Sequence, residues 1–121
     1  MPSVRRLRAS YPGRARRRRA NVDAVYGLHG TIRAKPGQRD ALLAILLEAS
    51  KGAPRMPGCR LYIVSLVPDE PDAVAVTEIW DDKASHDASV TLESVRETIG
   101  RARPIIDGFG PSTTFTPVGG I

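Results

Sequence analysis

The chain has 121 residues, of which 41% are hydrophobic and 26% are charged, and these proportions fit one globular domain with a single modest core. The longest run of apolar residues, 41–47, is too short to span a bilayer, and the one cysteine, Cys59, cannot form an internal disulfide. Both features argue against a membrane-spanning or disulfide-rich secreted protein and predict a cytoplasmic location.

Charge divides the chain into two parts. Residues 1–20 contain eight arginines and no acid, so that ten basic residues face thirteen acidic ones in the remainder, whose net charge is −3. Dense like charge with few apolar side chains predicts that residues 1–24 form a disordered extension, which lacks the apolar stretch of an export signal. Arginine runs can also bind phosphate backbones, but disorder alone explains the composition, so nucleic acid is disfavoured as a partner.

Apolar periodicity predicts the first two elements. Alternation with period two over residues 25–34 predicts a strand, and the apolar stripe of "RDALLAILLEAS" at helical spacing predicts a helix. Pro36 is well placed for the start of this helix. Lys51 and Gly52 are expected to end it, with the glycine free to adopt a left-handed backbone.

Three further strands and two further helices follow. Residues 59–67 and 73–80 are rich in β-branched residues and are joined by a short polar segment, which predicts an antiparallel hairpin. Asp81 or Asp82 can cap a brief helix over "KASHDAS". Thr91 can cap a longer helix that Pro104 stops, and "STTFTPV" predicts a short last strand.

The element order β-α-β-β-α-β predicts an α+β fold for residues 25–121, the ferredoxin-like sandwich, with both helices on one face of an antiparallel sheet. The other face would carry Leu, Val and Ile side chains without helices to cover them. In so small a chain such a face is usually covered by a second copy, so we predict a homodimer that packs sheet against sheet.

Three short motifs together resemble the antibiotic biosynthesis monooxygenase family, and most closely its quinol-monooxygenase-like members. They are R-x-K-P-G after the first strand, at residues 33–37, G-C-x-x-Y at 58–62, and E-x-W at 78–80. The resemblance extends over about residues 25–119. It implies a dimeric α/β barrel with a small cavity between sheet and helices. It also implies oxidation of a small hydroxylated aromatic, of the phenol or quinol type, by O2 without a metal, flavin or other cofactor.

The resemblance also implies which residues line the cavity. Trp80 matches the family's cavity tryptophan, Glu78 the acid two positions before it, and Tyr62 a family tyrosine. Many members have a histidine nine positions after the tryptophan, where this chain has Ser89, whereas its own His86 lies one helical turn earlier. Haem-degrading relatives have an asparagine on strand one where this chain has Gly30, which disfavours haem degradation.

Each candidate also has a structural alternative. His86 could take a proton from a phenol, because histidine titrates near neutrality, and it could share a helix face with Ser89, or it could simply be a solvated helix residue. Trp80 and Tyr62 could be packing residues as well as cavity walls. For His29 and Cys59 we favour structural roles, and no metal-ligand spacing is present. A non-catalytic small-molecule-binding or stress-response protein therefore stays open as the alternative function.

Overall fold

The computed structural model describes residues 24–120, and the predicted basic extension lies almost entirely outside them. Four strands and three α-helices alternate in the order β1 (Tyr26–Ala34), α1 (Arg39–Ser50), β2 (Cys59–Leu66), β3 (Ala73–Trp80), α2 (Lys83–Ser89), α3 (Glu93–Ala102) and β4 (Ile106–Phe115). Short 3-10 turns at Ala53–Arg55 and Arg103–Ile105 follow α1 and α3. No helix among the described residues is long and apolar enough to cross a membrane.

The strands form one sheet in the order β2-β3-β1-β4, and every neighbouring pair is antiparallel. With the helices added, this is the ferredoxin-like α+β arrangement that the element order predicts. The two central strands, β1 and β3, pair in continuous register from Tyr26 opposite Trp80 to Arg33 opposite Ala73. Between β1 and β4 the register shifts, because Ile32 lies opposite Phe109 but Gly30 lies opposite Ser112.

The helices cover one face of the sheet. The buried core joins Leu42 and Leu46 of α1 to Val74 and Val76 of β3, with Ala102 at the end of α3. Because alternate strand residues point to opposite faces, the even-numbered residues of β1 and β3 face this layer of helices.

The opposite face, here called the open face, carries no helix of the described chain. One row across it consists of Leu61, Ile79, Gly27 and Phe115, and the next of Ile63, Thr77, His29 and Thr113. Ile63 and Phe115 are 48% and 37% exposed, so apolar surface remains uncovered on this side.

Helix ends account for most of the wrong sequence predictions. Helix α1 begins at Arg39 rather than near Pro36, which lies in the preceding turn. Gly52 has φ −90° and is not left-handed, because the chain continues from α1 directly into a 3-10 turn. Thr91 does not cap α3, since Leu92 occupies the N-cap position and the Thr91 hydroxyl instead donates to the carbonyl of Ala88, 2.6 Å away.

The last strand is also longer and begins earlier than predicted. Residues 106–115 pair with β1 although they contain two glycines and a proline, whereas the prediction placed a short strand at 112–118. Asp82 caps α2, as one of the two predicted alternatives, with its Oδ1 accepting from the backbone N–H of Ser85 at 2.7 Å.

Candidate functional site

A cavity of about 570 Å³ lies between the sheet and the helices. All five residues that the sequence singled out line it: Tyr62, Glu78, Trp80, His86 and Ser89. They come from β2, β3 and α2, so the fold brings together residues that are up to 27 positions apart in the chain. A cavity of this volume lies within the range of small-molecule sites, about 300–1,000 Å³.

The short helix α2 is held in place by its N-terminal neighbours. The Asp82 cap fixes its first turn, and the backbone N–H of Asp81 donates to the carbonyl of Gly58 at 2.8 Å. Gly58 has φ +83°, and a β-carbon built there would lie 2.6 Å from Cβ of Ser85. A glycine therefore allows the start of β2 to approach α2 closely, which places His86 beside the sheet.

His86 lies among aromatic rings. Its centroid is 5.3 Å from that of Tyr26 and 5.9 Å from that of Trp80, with the indole at 82° to the imidazole. Its side chain is 19% exposed, and Nδ1 lies 3.0 Å from Oδ1 of Asp87. The His86 ring is therefore packed against aromatic side chains and lines the cavity, and its part in proton transfer stays a prediction.

Trp80 and Glu78 form a hydrogen-bonded pair in the cavity wall. Trp80 is 1% exposed, and its Nε1–H donates to Oε1 of Glu78 at 2.9 Å. Both side chains project from the helix-facing side of β3, two positions apart. This hydrogen bond gives the buried indole N–H an acceptor. It leaves the second carboxylate oxygen of Glu78 without a partner among the described side chains.

Tyr62 lies directly opposite Glu78 on the neighbouring strand. Burial, reinforced by the negative charge of Glu78, raises the pKa of Tyr62 to about 12. Its hydroxyl therefore stays protonated at neutral pH and can donate a hydrogen bond to an oxygen of a guest molecule.

Ser89 is 7% exposed, and its hydroxyl donates to the backbone carbonyl of His86 at 2.6 Å. Its proton is thus used within α2, which leaves only the oxygen lone pairs for a guest. His86 and Ser89 do share one side of the helix, as their spacing predicts, since both line the cavity.

His29 and Cys59 contribute nothing to the cavity. His29 lies on the open face, where its Nδ1 is 2.8 Å from Oγ1 of Thr77. Burial raises the pKa of the Cys59 thiol, which opposes formation of a reactive thiolate. Within residues 24–120 no group of three or more His, Cys, Asp or Glu side chains is arranged to hold a metal ion.

Several further residues of the site were missed by sequence reasoning. Tyr26 packs on His86 because it pairs with Trp80 across β1 and β3. Asp87 follows His86 directly in the sequence, but no local sequence pattern predicts that its carboxylate contacts the imidazole. Arg55 and Arg101 line the cavity beyond α1 and within α3, and only the folded chain places them there.

An antiparallel sheet covered on one face by helices, with a cavity between the layers, defines a ferredoxin-like α+β protein. The model of the antibiotic biosynthesis monooxygenase family matches residues 25–101, and the chain belongs to this family. The resemblance seen in the three sequence motifs is thereby confirmed.

Solved structures agree with this assignment. A protein of Chloroflexus aurantiacus J-10-fl named after antibiotic biosynthesis monooxygenase is 49% identical, with a TM-score of 0.74 over 81% of this chain and 97% of its own. One of Deinococcus radiodurans with the same family name is 23% identical, with a TM-score of 0.68 over 79% and 95%.

Other structural neighbours share the fold without an assigned activity. A Bacteroides thetaiotaomicron VPI-5482 protein of unknown function is 14% identical, with a TM-score of 0.69 over 78% of this chain and 98% of its own. No curated protein matches the chain. Family membership therefore fixes the architecture, whereas activity has to be argued from the site.

Proposed function

We propose that this chain is a cofactor-independent monooxygenase that oxidises a small hydroxylated aromatic of the phenol or quinol type with O2. The observation that carries the proposal is the convergence of His86, Tyr62, Glu78 and Trp80 on one cavity. A proton acceptor and a hydroxyl donor are groups that binding and deprotonating a phenol requires, and the buried Trp80 holds His86 and Glu78 in place.

The proposed reaction balances without a further reductant. In the oxidation of a phenol, a ring C–H carbon ortho or para to the hydroxyl becomes a carbonyl that takes one atom of O2, the hydroxyl carbon becomes a second carbonyl, and the other oxygen atom leaves as water. The C–H and O–H bonds that break supply four electrons to O2 and both hydrogens of the water. The first step is loss of a proton, which converts the substrate to the anion that can give an electron to O2.

In this proposal His86 takes that proton. The carboxylate of Asp87 can only accept, so a neutral His86 carries its proton on Nδ1 and has Nε2 available as the base. The buried Trp80 holds the His86 ring and the Glu78 carboxylate in place, and Tyr62 donates its hydroxyl to the substrate oxygen. Donation to the oxyanion stabilises the form of the substrate that reacts.

Oxygen uptake with a panel of quinols and anthrone-type phenols, in metal-free buffer, tests the proposal. We expect turnover with at least one compound and a loss of about 100-fold or more in His86→Ala, the usual contribution of a general base. His29→Ala is the matched control, because the second histidine lies on the open face. Absence of turnover with every compound, or equal turnover in His86→Ala, would refute the catalytic assignment.

A non-catalytic binding protein is the second candidate, and Ser89 is the observation that favours it. The family resemblance implies a histidine at this position, whereas here the Ser89 hydroxyl is bonded within its own helix. This candidate predicts that the same phenols bind beside Trp80, and quench its fluorescence, without any oxygen uptake.

We further propose that the chain acts as a homodimer formed through the open face. The uncovered row of Leu61, Ile79 and Phe115, with Ile63 beside it, supports this arrangement. A cytoplasmic location fits the single unpaired cysteine and belongs to the same proposal.

A further inference from the structure

A second, smaller chamber of about 230 Å³ adjoins the main cavity on the helix-facing side of the sheet. The two share Ile32, Leu46, Tyr62 and Glu78 as lining residues, so the Tyr62–Glu78 pair stands at the junction between them. Leu28, Val76 and Phe109 give the chamber mostly apolar walls. Phe109 is 71% exposed and marks the side on which the chamber meets solvent.

The chamber exists because of a glycine and a strand irregularity. Gly30 lies in the central strand β1, between Val76 and Ser112, and a β-carbon built there meets only the Ser112 side chain, at 3.7 Å. The register shift between β1 and β4 next to this position adds a residue to β4, near Gly110.

Nothing in the backbone requires a glycine at position 30. It is not among the described glycines with positive φ, and a β-carbon there would make only ordinary contact with the Ser112 side chain. Glycine weakens a strand interior, because it has no side chain to pack and loses more backbone freedom on folding. An aliphatic residue would favour the strand, so the space beside Gly30 is retained at a cost in strand stability.

We propose that this chamber receives an apolar, ring-sized substituent of the hydroxylated aromatic, and that Gly30 sets the largest substituent accepted. The class of ligand rests on the proposed function. The aromatic hydroxyl lies at the Tyr62–Glu78 junction, where it can bond to both side chains, and the substituent enters between Ile32, Val76 and Phe109. A dry cavity of about 150 Å³ is enough to bind benzene, so the chamber has room for one ring.

Calorimetric titration with phenol and para-phenylphenol tests this inference, because the two ligands differ only by one ring. For the natural chain we expect para-phenylphenol to bind at least about tenfold more tightly than phenol, from burial of the added ring. In Gly30→Leu the leucine fills the chamber, and the ratio of the two dissociation constants should fall to within about twofold. Gly30→Ala, for which the structure has room, should lower the ratio by a smaller amount.

Gly100→Leu is the control variant, since Gly100 has open space around it but lines neither cavity, and its ratio should equal that of the natural chain. A ratio near one in the natural chain, or an unchanged ratio in both Gly30 variants, would overturn the inference. A Gly30 variant that loses the preference for para-phenylphenol and also changes its oligomeric mass would overturn the inference as well. That result would indicate that the chamber holds part of a second copy of the chain. The titration needs no turnover, so a failure of the oxygenase proposal would leave this result standing.

Discussion

Nδ1 of His86 lies 3.0 Å from Oδ1 of Asp87, the residue that follows it in α2. The other carboxylate oxygen of Asp87 lies 2.8 Å from Nζ of Lys83, one turn earlier. Hydrogen bonds from Lys83, and next from His86, hold the pKa of Asp87 below its usual value, so the carboxylate stays ionised at neutral pH. The ionised carboxylate of Asp87 thus orients the imidazole of His86, and the ion pair with Lys83 holds that carboxylate in position.

Asp87→Asn tests whether this orientation matters for proton transfer. An asparagine can turn its NH2 group toward Nδ1, which moves the imidazole proton to Nε2 and blocks the proposed base. We expect kcat to fall about 10- to 100-fold, because the ring then presents an N–H rather than a free nitrogen to the substrate. Steady-state oxygen uptake measures the change.

Lys83→Met is the control for Asp87→Asn, because it removes the anchor but keeps the carboxylate beside the imidazole. Its kcat should stay within about threefold of the natural chain, as exposed ion pairs contribute little. An Asp87→Asn variant with unaltered kcat would exclude a positioning role for Asp87.

The buried hydroxyl of Tyr62 leads us to expect that the folded chain loses stability at alkaline pH. Its pKa is raised from 10 to about 12, so the folded chain resists an ionisation that the unfolded chain undergoes readily. The resulting stability is complete below about pH 10 and is lost as pH rises toward about 12, by up to about 2 kcal/mol. Urea unfolding at increasing pH should show a steeper decline for the natural chain than for Tyr62→Phe, in which other alkaline titrations are unchanged. Parallel declines would contradict burial of this hydroxyl.

Much of the fold follows from local pattern, and the exceptions have physical causes. Strand β3 and helix α2 were predicted at their observed bounds, because β-branched alternation ends at Trp80 and Asp82 caps the next helix. Strand β4 was placed too late, since the residues Gly108 to Pro111 are typical of a turn. It forms because β1 offers a free edge with which it pairs, and no local pattern encodes that partner.

The site was predictable to the extent that it follows sequence motifs. Tyr62, Glu78 and Trp80 belong to motifs and share the helix-facing side of two paired strands. The second chamber could not be predicted, because it depends on a β-bulge whose position is set by tertiary pairing. The sequence showed only that residue 30 is a glycine.

Gly58 and Gly37 illustrate two different requirements for glycine, a left-handed backbone and a close approach of neighbouring atoms. Both have positive φ, 83° and 79°, but a β-carbon on Gly58 would lie 2.5 Å from Oγ of Ser85, whereas one on Gly37 would meet nothing within 4 Å. Gly37→Ala should lower the free energy of unfolding by about 1 kcal/mol, the cost of the left-handed backbone. Gly58→Ala should lower it by about 2 to 4 kcal/mol, because overpacking against α2 is added.

Urea denaturation midpoints compare these two variants directly. Gly58→Ala should also reduce oxygen uptake, since α2 carries His86 and must move away from β2 to admit the methyl group. Gly37 is not among the residues that line the cavity, so its variant should keep the activity of the natural chain. Equal losses of stability in the two variants would show that a side chain at position 58 does not clash with α2.

The proposed homodimer can be tested with two β2 residues of matched exposure on opposite faces of the sheet. Ile63 is 48% exposed on the open face, and Leu66 is 47% exposed with the opposite orientation. Ile63→Lys would place a charge in the proposed interface, where desolvation without a partner is costly, so light scattering should give the mass of a monomer. Leu66→Lys should keep the dimer mass. If both variants keep the mass of the natural chain, the open face is not where two copies meet.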